Sequence, residues 1–333
     1  MTTIRDVAAE AGVSIATVSR VINGTGYASE EARQRVHAAM RKLAYHPNAI
    51  AQGLRRQATR SVGVLLPRIN EPYFSTLVFA IEKTLFAHGF RTLFCNTEEN
   101  SAKEDDYVTM LLGQQVDAVV YFVAAEDRRP HVERLIERGI PVVLLERSLP
   151  GLPVSEVRVT NEQGARDGVR HLLDLGHRRI AVISGSLEMI PRDRVRGAQQ
   201  ALNEAGVQGE VCIMGGLPDF ETGHTAALSL LNSANRPTAL FALTDSIAVG
   251  ALHAADELGL RVPASVSVMG FDDIPLASFI IPPLTTIAQP IYAIGETAAT
   301  ILLAQLDEQE SPPQSVLLPT SLVVRRSTAP PSR

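Results

Sequence analysis

The sequence predicts a chain of two unlike parts: a small all-α head, then a larger α/β body of two lobes, each built on a parallel Rossmann-like sheet. Three observations predict it. Apolar residues recur at helical spacing through roughly the first 45 residues, strand-like and helical runs alternate from Ser61 onward, and charge divides unevenly between the two stretches. The 333-residue chain has a net charge of −5, yet residues 1–60 hold nine Lys/Arg against four Asp/Glu, a net of +5, leaving −10 for residues 61–333. A basic head on an acidic body is the asymmetry expected when one end meets a polyanion. With 45% hydrophobic and 20% charged residues the composition is globular, and the length suits two or three domains.

The head opens on Thr3-Ile4-Arg5-Asp6, a capping box in which the threonine hydroxyl satisfies a free helix N–H and Asp6 reaches back. Ile4, Val7, Ala8 and Ala11 follow at helical spacing, and Gly12 is placed to end that helix in the left-handed conformation. After Val13, Ser14 caps a second helix, Ile15–Ile22, with Val18, Val21 and Ile22 on its inner face and a stop at Asn23-Gly24. Its outer face offers Ile15, Ala16, Thr17, Ser19 and Arg20. A third helix, about Ser29 to Leu43, carries Val36, Met40 and Leu43 inward and Arg33, Arg35 and Arg41 outward. Helix, glycine-containing turn and second helix form the helix-turn-helix pattern, whose second helix enters the DNA major groove. In that geometry Ile15 and Ala16 meet thymine methyls, Arg20 donates to guanine, and Thr17 and Ser19 suit phosphates. The same spacing also fits a small helical bundle with no DNA role.

His46-Pro47-Asn48 breaks the chain, and Ala49 to Arg56 reads as a helix of about two turns, marginal in water. Gly53 costs it about a further 1 kcal/mol relative to alanine, so its folding is expected to be conditional. In the body, strand-like runs occur at Val62–Leu66, Thr92–Cys95, Ala118–Phe122, Val142–Leu145, Ile180–Ser184, Ala239–Leu243 and Val266–Gly270, separated mostly by helical stretches. Ligands in such folds sit beyond the carboxyl ends of the strands. Ser327–Arg333, with two prolines, is expected to be a disordered tail.

Several classes of function are disfavoured. Cys95 and Cys212 stand in strand-like runs, which predicts reduced core residues and neither a disulfide framework nor a cysteine metal site. No apolar run reaches the roughly 18 residues of a membrane span, and the N-terminus lacks the apolar stretch of a signal peptide, so a cytoplasmic location is expected. Neither a Gly-rich dinucleotide fingerprint, a P-loop, a nucleophile elbow nor a zinc-protease motif occurs, and the eight histidines lack ligand spacing. The expectation is therefore a protein without catalytic activity, metal or cofactor.

Thr3 to Ala8, Ala11-Gly12-Val13-Ser14, Thr17-Val18-Ser19-Arg20-Val21-Ile22-Asn23 and Tyr45-His46-Pro47-Asn48 together resemble the headpiece of the LacI/GalR family of bacterial transcriptional regulators. Ala51 and Leu54 match that family's hinge helix. Gly259-Leu260-Arg261-Val262-Pro263, Gly270-Phe271-Asp272-Asp273 and Ile281-Pro282-Pro283-Leu284-Thr285-Thr286-Ile287 extend the resemblance over about residues 3–326. It implies that paired hinge helices sit over the centre of an operator, with Leu54 wedging into the minor groove, where unstacking costs a few kcal/mol that the bent complex recovers in contacts. The implied DNA contacts are Arg5, Ser14, Ile15, Ala16, Thr17, Ser19, Arg20, Asn23, Asn48, Ala51 and Leu54.

The body resembles the periplasmic sugar-binding fold, with a ligand between its two lobes. By that resemblance Tyr73, Phe74 and Phe220 cover a sugar ring, Arg147 and Arg194 bond vicinal hydroxyls, Asp272 accepts from two hydroxyls, and Gln289 lies at a lobe crossing. Two positions depart from the family pattern: Thr244 stands where asparagine is common, and Glu146 where aspartate is usual. Cys95-Asn96-Thr97-Glu98 and Asp272 to Phe279 look most like ribose-type repressors. Arg68 and Arg192 keep a sugar phosphate or sugar acid open, and a purine is less favoured.

The implied organisation is a helix-turn-helix domain at 1–46, a hinge and linker at 47–60, and an effector-binding and dimerisation domain at 61–326. Its N-lobe spans about 61–159 and 291–320, and its C-lobe about 161–288 and 322–326. The implied function is a homodimeric repressor of carbohydrate-metabolism genes, switched by a sugar. The competing readings are a sugar-binding protein of a transport system and a Rossmann-like enzyme that has acquired a DNA-binding head.

Overall fold

The computed structural model describes residues 2–23, 26–45, 59–123, 128–186, 192–207, 210–213, 217–307 and 312–332. They fall into two compact units, Met1–Ser61 with Gln115–Asp117, and Val62–Gln114 with Ala118–Arg333.

The first unit contains α1 (Ile4–Ala11), α2 (Ile15–Asn23) and α3 (Glu30–Lys42). The capping box forms in both directions: the Thr3 hydroxyl accepts from the Asp6 N–H, and the Thr3 N–H donates to the Asp6 carboxylate at 2.7 Å. Gly12 adopts φ 61°, and the Val13 N–H reaches the Ala8 carbonyl at 3.1 Å, closing the helix end with a residue that has no Cβ to clash. Ser14 accepts from the Thr17 N–H at 3.1 Å, and Ser29 caps α3. Val7, Val18 and Val36 are fully buried where the helices meet, and Met40, Leu43 and Tyr45 pack around them.

The second unit holds two six-stranded sheets. The first runs β11-β5-β4-β3-β1-β2, from β1 (Ser61–Leu66), β2 (Arg91–Asn96), β3 (Ala118–Phe122), β4 (Val142–Leu145), β5 (Ser155–Val159) and β11 (Ser315–Leu318). The second runs β12-β10-β9-β8-β6-β7, from β6 (Ile180–Ser184), β7 (Glu210–Ile213), β8 (Ala239–Ala242), β9 (Ser267–Asp272), β10 (Thr285–Ala288) and β12 (Ser321–Val323). The pairs β1–β3, β3–β4, β4–β5, β5–β11, β6–β7, β6–β8, β8–β9 and β9–β10 are parallel, and β12 runs antiparallel to β10. The central strands are apolar on both faces, as the burial of all five residues of β3 and of β6 requires.

Among the described residues, eight α-helices cover the sheets: α4 (Pro72–Ala87), α5 (Ser101–Gln114), α6 (Arg129–Glu137), α7 (Asn161–Asp174), α8 (Arg192–Glu204), α9 (Phe220–Leu231), α10 (Asp245–Glu257) and α11 (Ile291–Asp307). The chain passes between sheets three times: from β5 into α7, from β10 into α11, and from β11 into β12. Two of these crossings are tied together, since Thr160 and Thr320 share a hydroxyl–hydroxyl bond at 2.9 Å and the Thr320 N–H donates to the Thr160 hydroxyl at 2.9 Å. Among the described residues, no helix is long and apolar enough to cross a membrane. Cys95 is buried, with its thiol pushed up to about 11 by burial, and Cys212 is half-buried.

The C-terminal segment corrects the expected disorder of 327–333. Residues 327–332 lie along the second lobe, where fully buried Ser327 donates to the Val268 carbonyl at 2.6 Å and accepts from the Thr285 N–H at 2.8 Å. His177, itself 1% exposed, holds the Ala329 carbonyl at 2.9 Å, and His171 meets Thr328. Composition pointed to disorder because proline content carries no information about a groove already prepared with donors. Ser327→Ala is expected to cost about 1–3 kcal/mol, because the Thr285 N–H is left buried without an acceptor; urea unfolding of the whole chain measures it.

Candidate functional site

In the first unit, α2 turns Val18 and Val21 inward, and its opposite face is open. Ile15 is 45% exposed, Ala16, Arg20, Ser14 and Arg5 are exposed, and Thr17 and Ser19 are half-buried. The Ser14 and Thr17 hydroxyls sit 2.9 Å apart at the helix N-terminus, where free N–H groups and the helix dipole suit a phosphate. Tyr27, 87% exposed just beyond α2, was passed over in the sequence because it matches no periodic pattern. The side chain of Asn23, and the whole of Asn48, Ala51 and Leu54, lie outside the described residues.

In the second unit, a cleft is lined by residues of both lobes: Glu71, Tyr73, Phe74, Phe122 and Glu146 from the first, and Arg194, Pro218, Thr244, Ser246 and Asp272 from the second. Glu146 directly follows β4, Asp272 ends β9, and Tyr73 and Phe74 open α4 after β1, so the cleft lies at the carboxyl ends of strands. Glu146 and Asp272 both have positive φ, 65° and 120°. Such backbone costs on the order of 1–3 kcal/mol per residue and persists where the surroundings impose it.

One hydrogen-bond chain runs from lobe to lobe. The Tyr73 hydroxyl donates to Glu146 Oε1 at 2.6 Å, and the Asn161 amide donates to Glu146 Oε2 at 3.3 Å. Arg194 Nε donates to Asn161 Oδ1 at 2.7 Å, while Nη1 donates to the Leu243 carbonyl at 2.7 Å and to Asp272 Oδ1 at 3.0 Å. Gln289 donates to the same Asp272 oxygen at 2.6 Å, and the guanidinium stacks on Phe271 at 3.9 Å. Donors and acceptors are thus fixed before any ligand arrives, which is what discrimination between hydroxyl stereoisomers needs. The Thr244 hydroxyl caps α10 by accepting from the Ile247 N–H at 3.2 Å, and the residue lines the cleft.

Sequence reasoning and geometry differ at several positions. Phe220 does not line the cleft: as the first residue of α9 it opens onto a separate groove with His224, Val249 and His253. Arg147 is half-buried and absent from the lining, and Gln289 acts through Asp272. Glu71, Phe122, Asn161 and Ser246 were missed. Glu71 stands one residue from the aromatic pair and bonds Ser246 across the lobes at 3.0 Å, a partnership 175 residues apart in sequence.

Burial pushes the Asp272 carboxyl up to about 6, against the opposing pull of Arg194 and Gln289. Burial, then Asp272, pushes Asp245 well above the ordinary carboxylate range, while the Thr286 hydroxyl and the Ile274 N–H pull the other way. Because the raised Asp272 takes up a proton in the folded state, its contribution to stability is lost as pH rises through about 6. A ligand whose hydroxyls bonded Asp272 would need the opposite state, an ionised acceptor, and its affinity is then expected to be level above about pH 7 and to fall below about 6, approaching tenfold per pH unit. Calorimetric titration across that range measures it, and a level profile down to pH 5 would remove Asp272 as an acceptor.

Comparison with known proteins adds the following. Residues 3–48 match the family described as bacterial regulatory proteins, lacI family, and residues 169–328 match a periplasmic binding protein-like domain. The chain is 37% identical to the HTH-type transcriptional regulator DegA of Bacillus subtilis (strain 168), over 99% of this chain and 98% of that protein. It resembles the crystal structure of the Lac repressor dimer bound to operator and the anti-inducer ONPF with a TM-score of 0.87 and 33% identity, covering 98% and 99% of the two chains. A LacI family regulator from Enterococcus faecium with bound ribose gives a TM-score of 0.74 and 31% identity, over 81% and 99%.

Proposed function

This chain belongs to the lacI family of bacterial regulatory proteins; on that premise it is a ligand-responsive DNA-binding transcription regulator, and we propose that a polyol in the inter-lobe cleft controls its hold on a near-palindromic operator. The observation that carries the reading is the buried Arg194–Asp272–Gln289 cluster, which holds fixed donors and acceptors where the two lobes line a common cleft. The protein acts as a repressor of carbohydrate-metabolism genes, as a homodimer and in the cytoplasm, and its role is binding rather than catalysis.

The division of labour follows residues 1–46 for DNA reading, 47–60 as hinge, and the body from 61 as sensor, divided between lobes at 160, 289 and 320. Ile15, Ala16 and Arg20 read base edges, Arg5, Thr17 and Ser19 hold phosphates, and Tyr27 joins them at the rim. A single head reads too few base pairs, so two-fold pairing specifies a site with two-fold symmetry. Leu54 acts as the minor-groove wedge. Leu54→Ala is expected to weaken operator binding by about 1–3 kcal/mol, the scale of other specific contacts, and to leave effector affinity unchanged. Parallel DNA and effector titrations check this, and equal losses in both would contradict the wedge.

The test of the regulator reading is a salt titration on duplexes selected by the full chain from a random pool. Steep loss of affinity with salt, on a recovered near-palindrome held far tighter than scrambled DNA, is the expected result. Sequence-blind binding overturns it.

A further inference from the structure

The cleft is short of positive charge. Glu71 pairs with Arg68 at 3.1 Å, and the same guanidinium is shared with Asp219 at 4.0 Å. Asp272 pairs with Arg194. That leaves Glu146, 6% exposed, whose two oxygens receive only neutral donors, the Tyr73 phenol and the Asn161 amide. Among the described residues no Lys or Arg stands within ion-pair distance of it. A buried carboxylate served only by neutral groups carries a desolvation cost that a cation would offset.

Two further features point the same way. Tyr73, Phe74 and Phe122 line the same cavity as a run of edge-to-face rings, with centroids 5.2 Å and 4.9 Å apart. Aromatic rings attract cations to their negative faces, and most strongly where water is excluded. The field around Glu146 is also felt by its neighbours: burial and then Glu146 push the Tyr73 phenol well above its ordinary value, and Glu146 adds to the upward push on Asp272.

We propose that the effector is a cationic polyol, an amino or imino sugar, whose ammonium sits at Glu146 against the Tyr73, Phe74 and Phe122 rings while its hydroxyls bond Asp272 and Arg194. The proposal rests on the polyol reading of the cleft and sharpens it. The same balance argues against sugar phosphates and sugar acids: Arg68 stands between Glu71 and Asp219 with only its Nη1 left without a partner, Arg192 is exposed, and neither is part of the lining. The glutamate in place of the family's usual aspartate reaches one methylene further into the cleft, toward the rings.

The experiment is thermal shift and calorimetry on the full chain near neutral pH. The probes are glucosamine, galactosamine, mannosamine and an imino pentitol, each against its neutral parent, its N-acetyl derivative and the matching sugar acid. The expected result is that at least one amine binds about tenfold or more tighter than its parent, and that N-acetylation removes the gain. Glu146→Gln, nearly isosteric, should erase the preference for the amine over its parent while leaving the ligand-free melting temperature close to the original. A neutral parent or an acid binding as tightly as its amine overturns the cation and leaves the polyol reading standing. Silence from every amine also overturns the proposal, and the DNA titration described above then judges the regulator reading separately.

Discussion

Arg194→Met is expected to lower effector affinity by about hundredfold or more and to destabilise the body by about 3–5 kcal/mol, the range for removing one member of a buried ion pair. The arginine is 4% exposed and makes three hydrogen bonds, to Asn161, the Leu243 carbonyl and Asp272, with its plane on Phe271. Methionine keeps the volume and some of the stacking. It leaves the Asp272 carboxylate buried with Gln289 alone, and Asn161 without the donor that orients it toward Glu146. Without the arginine's downward pull the Asp272 carboxyl rises further, and its protonation relieves part of that cost, so the stability deficit should shrink in acid. Arg194→Lys keeps the charge but not the fork, and is expected to recover stability better than affinity. Urea unfolding and calorimetry separate the two effects, with DNA binding in the absence of effector as the control that should not change. Unaltered ligand affinity would remove Arg194 from the site.

Gly250→Ala is expected to cost about 3 kcal/mol or more, at the upper end for overpacking a closed contact. Helices α9 and α10 cross where neither carries a side chain: a Cβ on Gly250 would overlap the Phe220 carbonyl and lie 2.7 Å from the His224 nitrogen, and one on Gly223 would lie 2.7 Å from the Ile247 Cα. These obstacles are backbone atoms of a neighbouring helix, so relief requires the helices to part. Thr244 and Ser246, at the start of α10, would move with them, so the cleft should loosen as well. Gly113→Ala supplies the contrast. A Cβ there meets nothing within 4 Å, near the end of α5, and the exchange should stabilise by up to about 1 kcal/mol from helix propensity. Equal effects from the two substitutions would contradict the packing account.

The head was legible almost to the residue because its determinants are local. A capping box at Thr3, a left-handed glycine at 12 and caps at Ser14 and Ser29 are each settled within four or five residues. Central strands such as Ala118–Phe122 and Ile180–Ser184 were legible because burial on both faces demands an unbroken apolar run. β5, with its alternating Ser-Glu-Val-Arg-Val, and β10, which buries Thr285 and Thr286, lack such a run and were missed; so were the outer strands β7, β11 and β12. Their pairing is decided by neighbours far away in sequence.

The cleft divides in the same way. Tyr73, Phe74, Glu146, Arg194, Thr244 and Asp272, expected there from the family resemblance, line the cleft. Asn161 was missed because its role exists only where Glu146 and Arg194 converge on it from opposite lobes. Phe220 was misassigned because chain order places it in the facing lobe, while its place at the start of α9 turns it to the α9–α10 groove.

Affinity of the full-length protein for its selected duplex, measured across a titration of the effector that the cleft binds, tests the central claim most directly. The account predicts a shift that saturates with cleft occupancy, matched by an equal factor when effector affinity is measured with and without DNA, because linkage is reciprocal. DNA affinity that stays constant while the cleft fills would contradict it.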